Sequence, residues 1–202
     1  PDAETELRNA SVRYSGINDK VSGDFIDELI PYILDSDITL VGASIGGNYS
    51  ESLDKILQKV IYSGKILFTS VGNSGEEVEN NWANMDSFIS VGAVDKIFGD
   101  LTKASYSSTG EELDYMVLPI SNKRGTSFRQ PILAGIGALV NQLSNERIGR
   151  NLKKNEMENF FDDHVIDLGK TGHDEYYGHG LVVLPKPDNV DFSKYTKHNI
   201  KI

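Results

Sequence analysis

The chain has 202 residues, no cysteine, and 20 Lys and Arg against 30 Asp and Glu, for a formal net charge of −10. A chain of this length buries roughly 70% of the surface its unfolded form exposes, so one globular domain with its own core is expected. The lack of Cys removes disulfide scaffolds, thiol catalysis and Cys-ligated zinc. The acidic balance, with Lys and Arg scattered among carboxylates, excludes a nucleic-acid backbone binder.

In chain order, Ser11-Val12-Arg13-Tyr14 is a short strand candidate. Ser22 can cap a helix whose apolar residues Phe25, Ile26, Leu29, Ile30 and Ile33 recur at three and four, with a kink expected at Pro31. Ile38–Val41 reads as a buried parallel strand. Ser50 caps a second helix carrying Leu53, Ile56, Leu57, Val60 and Ile61 on one face, with Gly64 as its stop, and Lys65–Val71 follows as a strand. Strand, helix, strand at this spacing is a βαβ unit, which places a parallel sheet at the centre under helices.

Ser87–Val94 is the next strand, Ala104–Ser108 is short and hydroxyl-rich, and Asp114–Leu118 is a further strand ending at Pro119. Thr126 or Ser127 then opens a helix with Pro131 in its first turn. Its residues Ile132, Leu133, Ile136, Leu139, Val140 and Leu143, with Ala and Gly between them, predict a helix buried nearly all round. Asn155–Phe161 is a shorter surface-type helix, and Leu181–Leu184 a last strand. These divide the chain into a domain over residues 1–184 and a polar tail over 185–202. No stretch approaches a membrane span, and Pro1–Glu6 has no signal-peptide pattern, which leaves cytoplasmic location or secretion after processing both open.

Two serines compete as nucleophiles. Gly42-Ala43-Ser44-Ile45-Gly46 fits the elbow pattern Gly-x-Ser-x-Gly, although Gly47-Asn48-Tyr49 intervenes before the helix cap, and it would make the chain an esterase. Ser127, in Gly125-Thr126-Ser127, stands at a helix start, where backbone N–H groups favour developing negative charge; its plainer reading is an N-cap. Asn73, in Gly72-Asn73-Ser74-Gly75, reads either as a turn residue or as a neutral donor able to hydrogen-bond an oxyanion without titrating.

Further stretches complete an ordered set. Ala43-Ser44-Ile45-Gly46-Gly47, Val71-Gly72-Asn73-Ser74-Gly75, Ile89-Ser90-Val91-Gly92-Ala93-Val94-Asp95 and Ala104–Gly110 are followed by Gly125-Thr126-Ser127, Pro131, Ala134-Gly135 and Tyr176–Val182. In this order they resemble the subtilisin-like serine proteases, the subtilases, from about Ala10 to Leu184. The resemblance implies a three-layer α/β fold with a mostly parallel central sheet, of which this chain is the C-terminal two-thirds. It also implies Ser127 as nucleophile, Asn73 as side-chain oxyanion donor, and Ser44, Ile45, Gly46 and Gly47 with Gly72, Gly125 and Thr126 as the peptide-binding surface.

The departures from the family pattern are equally specific. The family's Asp and His precede the part resembled here, and none of His164, His173, His179 or His198 stands in a His-Gly-Thr setting. The expected reading is a serine endopeptidase lacking part of its triad, with peptide or protein substrates and an Asp- and His-bearing segment that was cleaved, separately encoded or lost. A non-catalytic pseudoprotease that binds a peptide or protein partner is the alternative. Phe128-Arg129-Gln130 replaces the small residues usual after the nucleophile. Calcium is suggested by the resemblance alone, because no carboxylate-rich loop with ligand spacing assigns a site, and His173 and His179 read as exposed or hydrogen-bonded rather than as a metal pair.

Overall fold

In the computed structural model, residues 28–78 and 80–196 are described. The strand expected at Ser11–Tyr14, the helix start at Ser22, and His198 lie outside them. The elements are α1 (Ile30–Asp35), β1 (Leu40–Ala43), α2 (Glu51–Tyr62), β2 (Ile66–Ser70), β3 (Phe88–Ile97), β4 (Asp100–Lys103), β5 (Tyr115–Val117), α3 (Gln130–Ile148), α4 (Lys154–Asp162), β6 (Val165–Ile166), β7 (Leu181–Val182) and α5 (Ser193–Thr196). The sheet runs β1-β2-β3-β5-β7-β6, with β4 folded back on β3. Its pairs from β1 through β7 are parallel, and Leu40 faces Ile66, Leu67 faces Phe88 and Val91 faces Tyr115. Only β4 and β6 run antiparallel to their neighbours.

Strand β2 explains why the sheet is central. All five of its residues are buried, as expected for a parallel strand covered on both faces. Ile66 and Phe68 point toward Leu133 and Val140 of α3 and Met157, Phe160 and Phe161 of α4. Leu67, one residue out of phase, joins Ile33 of α1 and Leu53, Leu57 and Val60 of α2 on the opposite face. The Ser50 hydroxyl accepts from Leu53 N at 3.3 Å and starts α2 where the sequence placed it. Three layers result, in accord with the expected architecture.

Some local expectations change. Pro31 stands in the first turn of α1, directly after π-helical Glu28 and Leu29, and the helix in which its kink was expected begins outside the described residues. Residues Thr126–Phe128 form a single 3-10 turn, so Ser127 precedes α3 instead of capping it. Helix α3 buries a stripe of Gln130, Leu133, Gly137, Val140, Asn141 and Ser144. Its other side is open among the described residues, with Leu139 45% exposed, because the sheet, Met157 of α4 and the 150–152 segment cover one side of it. The 185–202 stretch is polar in composition, yet Val190, Phe192 and Tyr195 enter the main core beside Phe160.

Candidate active site

The predicted site residues gather at the carboxyl ends of the parallel strands, the end where open α/β sheets present ligand crevices. Three chain segments meet there: Ser44–Gly47 after β1, Val71–Asn73 after β2, and the 126–128 turn before α3. The Thr126 backbone N–H donates to Asn73 Oδ1 at 2.8 Å, and the buried Thr126 hydroxyl lies 3.2 Å from both that oxygen and the Gly72 carbonyl. With its oxygen so engaged, the Asn73 amide must present Nδ2 on its other side. Phe128 N and Arg129 N close the turn onto Gly125 and Thr126, while the Ser127 N–H has no acceptor among the described residues. Gly125 has φ +128°, a conformation that L side chains resist, and a Cβ there would stand 3.7 Å from Asn73 Oδ1.

Ser44 and Ser127 are clasped together. The Ser127 hydroxyl donates to the Ser44 carbonyl at 3.4 Å, and the Ser44 hydroxyl lies 2.9 Å from the Ser127 carbonyl and 2.8 Å from Gln130 Oε1, two acceptors for one proton. The elbow expected at Ser44 is absent. Strand β1 ends at Ala43 and α2 starts at Glu51, so no sharp strand-to-helix turn lifts that hydroxyl, and the esterase reading loses its geometry. The substituted residues after Ser127 leave the turn in two directions. Arg129 is buried and reaches Asp95 at 3.3 Å, Tyr106 Oη at 3.0 Å and the Lys123 carbonyl at 3.2 Å. Gln130, only 1% exposed, packs its carboxamide on Gly42, where a Cβ would come within 2.4 Å of Nε2. That Nε2 has no hydrogen-bond partner among the described residues.

Beyond Gly46 the edge segment is itself tied down. Gly47 O accepts from Trp82 N at 3.1 Å and Tyr49 N donates to Asn80 O at 3.0 Å, which leaves Ser44, Ile45 and Gly46 as the stretch free to meet a ligand. Asn81 lies between Gly46 and Gly72. Its carboxamide atoms are 3.8 and 3.9 Å from where a Cβ on Gly46 would lie, and its Nδ2 is 4.0 Å from the same point on Gly72. The sequence reading passed over this residue. The signal was present in Asn81-Trp82-Ala83-Asn84, a capping box in which Asn81 accepts from Ala83 N and its own N–H donates to Asn84.

The described histidines are engaged elsewhere. His164 Nδ1 lies 2.7 Å from the Phe160 carbonyl, and His173 Nε2 lies 3.0 Å from that of Leu113. His179 pairs with Asp162 at 3.3 Å, its ring stacked on Tyr115 and set against His173. A cavity of about 620 Å³ near them, lined by Glu111, Lys170, His173 and Tyr176 among others, contains none of the predicted site residues. Among the described residues no group of three or more His, Asp or Glu is arranged to hold a metal ion. No helix among them is long and apolar enough to cross a membrane.

No protein-family model matches the chain. Subtilisin DY of Bacillus licheniformis is 30% identical over 169 residues, covering 76% of this chain and 58% of the relative. Subtilisin E of Bacillus subtilis is 28% identical over the same length, 42% of that protein, and the minor extracellular protease Epr of the same organism 26% over 176 residues. The chain thus spans about half the length, or less, of these curated relatives. A crystal structure of a lanthipeptide protease superposes with a TM-score of 0.67 at 20% identity, over 80% of this chain and 63% of that one. That likeness extends to the fold.

Proposed function

From the premise that the chain belongs to the subtilisin-like serine protease family, we propose that it forms the nucleophile-bearing part of a serine endopeptidase. Ser127 is its nucleophile, and Asn73 Nδ2 with the Ser127 N–H forms its oxyanion hole. The observation that carries this is the pair of donors beside the hydroxyl. Thr126 N–H holds the Asn73 amide against the turn that carries Ser127, and the Ser127 N–H has no acceptor among the described residues; this supports the reading of two neutral donors for the negative charge that develops on a carbonyl oxygen. An extended peptide would lie along Ser44–Gly46, with a side chain entering beside Asn81.

In this reading Ser127 Oγ attacks the scissile carbonyl carbon as its proton passes to a base, the C–N bond then breaks as the base protonates the leaving amine, and water hydrolyses the acyl enzyme. The base is supplied by a segment carrying Asp and His outside the described chain. Two features support a docking place for it: among the described residues no strand pairs with the outer edge of β1, and Gln130 Nε2 is a buried donor without an acceptor beside that edge.

The Ser127 hydroxyl resting on the Ser44 carbonyl, with no histidine among the described residues against it, favours a second reading, a peptide-binding pseudoprotease. A fluorophosphonate probe separates the two. Stoichiometric labelling of Ser127 when the chain is combined with an Asp- and His-bearing subtilase segment, absent in Ser127→Ala and slow in the chain alone, supports the protease. In subtilisin, the worked case for this magnitude, loss of the histidine costs about 10⁶ in kcat, which sets the contrast to look for. No labelling in the combined protein, with peptide binding retained, supports the binder.

A further inference from the structure

We propose that the leaving-group side of the Ser127 cleft is a cationic subsite that selects peptides with acidic residues just after the scissile bond. The inference rests on the peptide-groove reading above and adds the charge of the substrate. If the acyl half of a peptide lies along Ser44–Gly46 with its carbonyl at Asn73 and Ser127, the other half must leave past the opposite flank of the turn. There the chain presents Phe128, whose ring lies 3.6 Å from where a Cβ on Gly125 would stand, and the exposed loop ending in Lys123-Arg124.

Both cations are held in place. Lys123 Nζ sits 5.1 Å from the centre of the Phe128 ring, and the Arg124 guanidinium sits 4.9 Å from that of Tyr106, with Nη2 at 3.4 Å from Ser105 Oγ. Cation–π seating of this kind limits the side-chain freedom that an ionic contact would otherwise have to freeze. Beneath them Arg129 meets the other side of Tyr106 through its hydroxyl. Asp95 is the one carboxylate that any of the three cations contacts among the described residues, and it is taken by Arg129. Lys123 and Arg124 therefore face outward without an ion-pair partner, beside the nucleophile of a chain whose net charge is −10. A local field opposite to that of the whole molecule is what an anionic partner requires for attraction to this place rather than to the surface at large.

The test uses the full chain carrying Ser127→Ala and fluorescent peptides that share one neutral acyl half, with the second half acidic, or acidic residues replaced by their amides, or the acids moved into the first half. Anisotropy titrations at low salt should show the peptide with acids in the second half binding about three- to tenfold more tightly than its amide counterpart, the scale of two solvent-screened charge contacts. The advantage should disappear in Lys123→Ala/Arg124→Ala and at high salt, and Lys123→Glu/Arg124→Glu should prefer a peptide with lysines in that half. Both positions are exposed, so an unchanged melting curve checks the fold. Equal affinity of acid and amide peptides, an advantage that survives the double alanine variant, or equal competition by a single-stranded oligonucleotide overturns the subsite. Failure of every peptide to bind, the neutral one included, strikes the groove itself and takes the subsite with it.

Discussion

The two ends of the sheet treat polar groups in opposite ways. Around α4 and the 167–184 stretch, polar atoms are consumed internally. The Asp174 carboxylate accepts from the backbone N–H groups of Lys170, Tyr176 and Tyr177 at 2.8 to 2.9 Å, and Glu156 takes both Arg150 Nη atoms at 2.7 Å and the Lys153 N–H at 2.8 Å. Tyr115 Oη donates to Asp162, which also meets His179. At the Ser127 end, Gln130 Nε2 and Arg129 Nε are buried donors without partners among the described residues, as Asn141 Nδ2 is further along α3, and the half-buried Ser127 N–H has no acceptor there. A buried polar group without a partner costs about 1–3 kcal/mol, a cost that Gln130 Nε2 sheds on meeting an acceptor. The contrast separates carboxylates and histidines that hold the structure from donors kept for a ligand.

The largest effect that can break this contrast is expected at Asn73. In the protein combined with its base-bearing segment, Asn73→Ala should lower kcat by about 10²–10³, a size established for an oxyanion donor in subtilisin itself, with peptide affinity nearly unchanged and a melting temperature lowered only by the loss of an acceptor for the buried Thr126 N–H. Stopped-assay rates beside a thermal melt decide it. A variant that melts early with little loss of rate would return Asn73 to the plainer role of a turn residue.

Next in size is Glu156, on the structural side of the comparison. Burial works against its charge, but the Arg150 guanidinium and the Lys153 N–H prevail and hold its carboxyl below the ordinary range. A depressed carboxylate contributes stability that is present above its unfolded pKa and lost as pH falls through the folded one. Glu156→Gln should therefore cost about 2 kcal/mol near neutral pH, discounted for the partly exposed Arg150, and progressively less in acid. Urea titrations across that range measure it, and a penalty independent of pH would show that packing, not charge, is what Glu156 supplies.

Much of this division was legible in the sequence, for particular reasons. The β1 to β3 core declared itself because residues such as Ile66–Phe68 form continuous apolar runs between caps, and Ser127 and Asn73 because their segments keep a recognisable order. Gln130 and Arg129 were visible only as departures. Where their side chains go depends on Gly42 and Asp95, tens of residues away, and pairing at that separation leaves no periodic trace. Asn81 was hidden for a related reason: its cap is local and readable, but its place between Gly46 and Gly72 is tertiary. Strand β4 was missed because Asp100-Leu101-Thr102-Lys103 is a polar flap whose pairing with β3 supplies what its composition does not.

Asp114 carries a smaller effect of opposite sign to that of Glu156. Burial pushes its carboxyl up to about 6, although Ser90 N donates to it at 2.6 Å. A carboxyl raised above its unfolded value binds more protons when folded, so its contribution is present below the unfolded pKa and is lost as pH rises through about 6. Asp114→Asn keeps an acceptor for Ser90 and removes the buried charge. It should stabilise the chain by on the order of 1–2 kcal/mol above pH 6 and by little near pH 4, one pKa unit being worth about 1.4 kcal/mol. Melting curves at the two extremes would show the difference opening with pH; a constant offset would contradict it.

The smallest expected effect sharpens the comparison most. Gln130→Met keeps nearly the same volume against Gly42 and removes a buried N–H that has no partner among the described residues. It also removes Oε1, but the Ser44 hydroxyl retains the Ser127 carbonyl at 2.9 Å, so no new orphan is created. In the isolated chain the substitution should be neutral or stabilising by up to about 1 kcal/mol, because replacing an unsatisfied donor by an apolar group of similar shape ends a desolvation cost. With the base-bearing segment present the sign should reverse, since that donor would then have its acceptor, and probe labelling of Ser127 should fall. Equilibrium unfolding of the chain, alone and combined with the segment, reads both halves. If Gln130→Met costs 2 kcal/mol or more in the chain alone, its carboxamide is as fully spent as the Glu156 carboxylate, and the two ends of the sheet do not differ in the way drawn above.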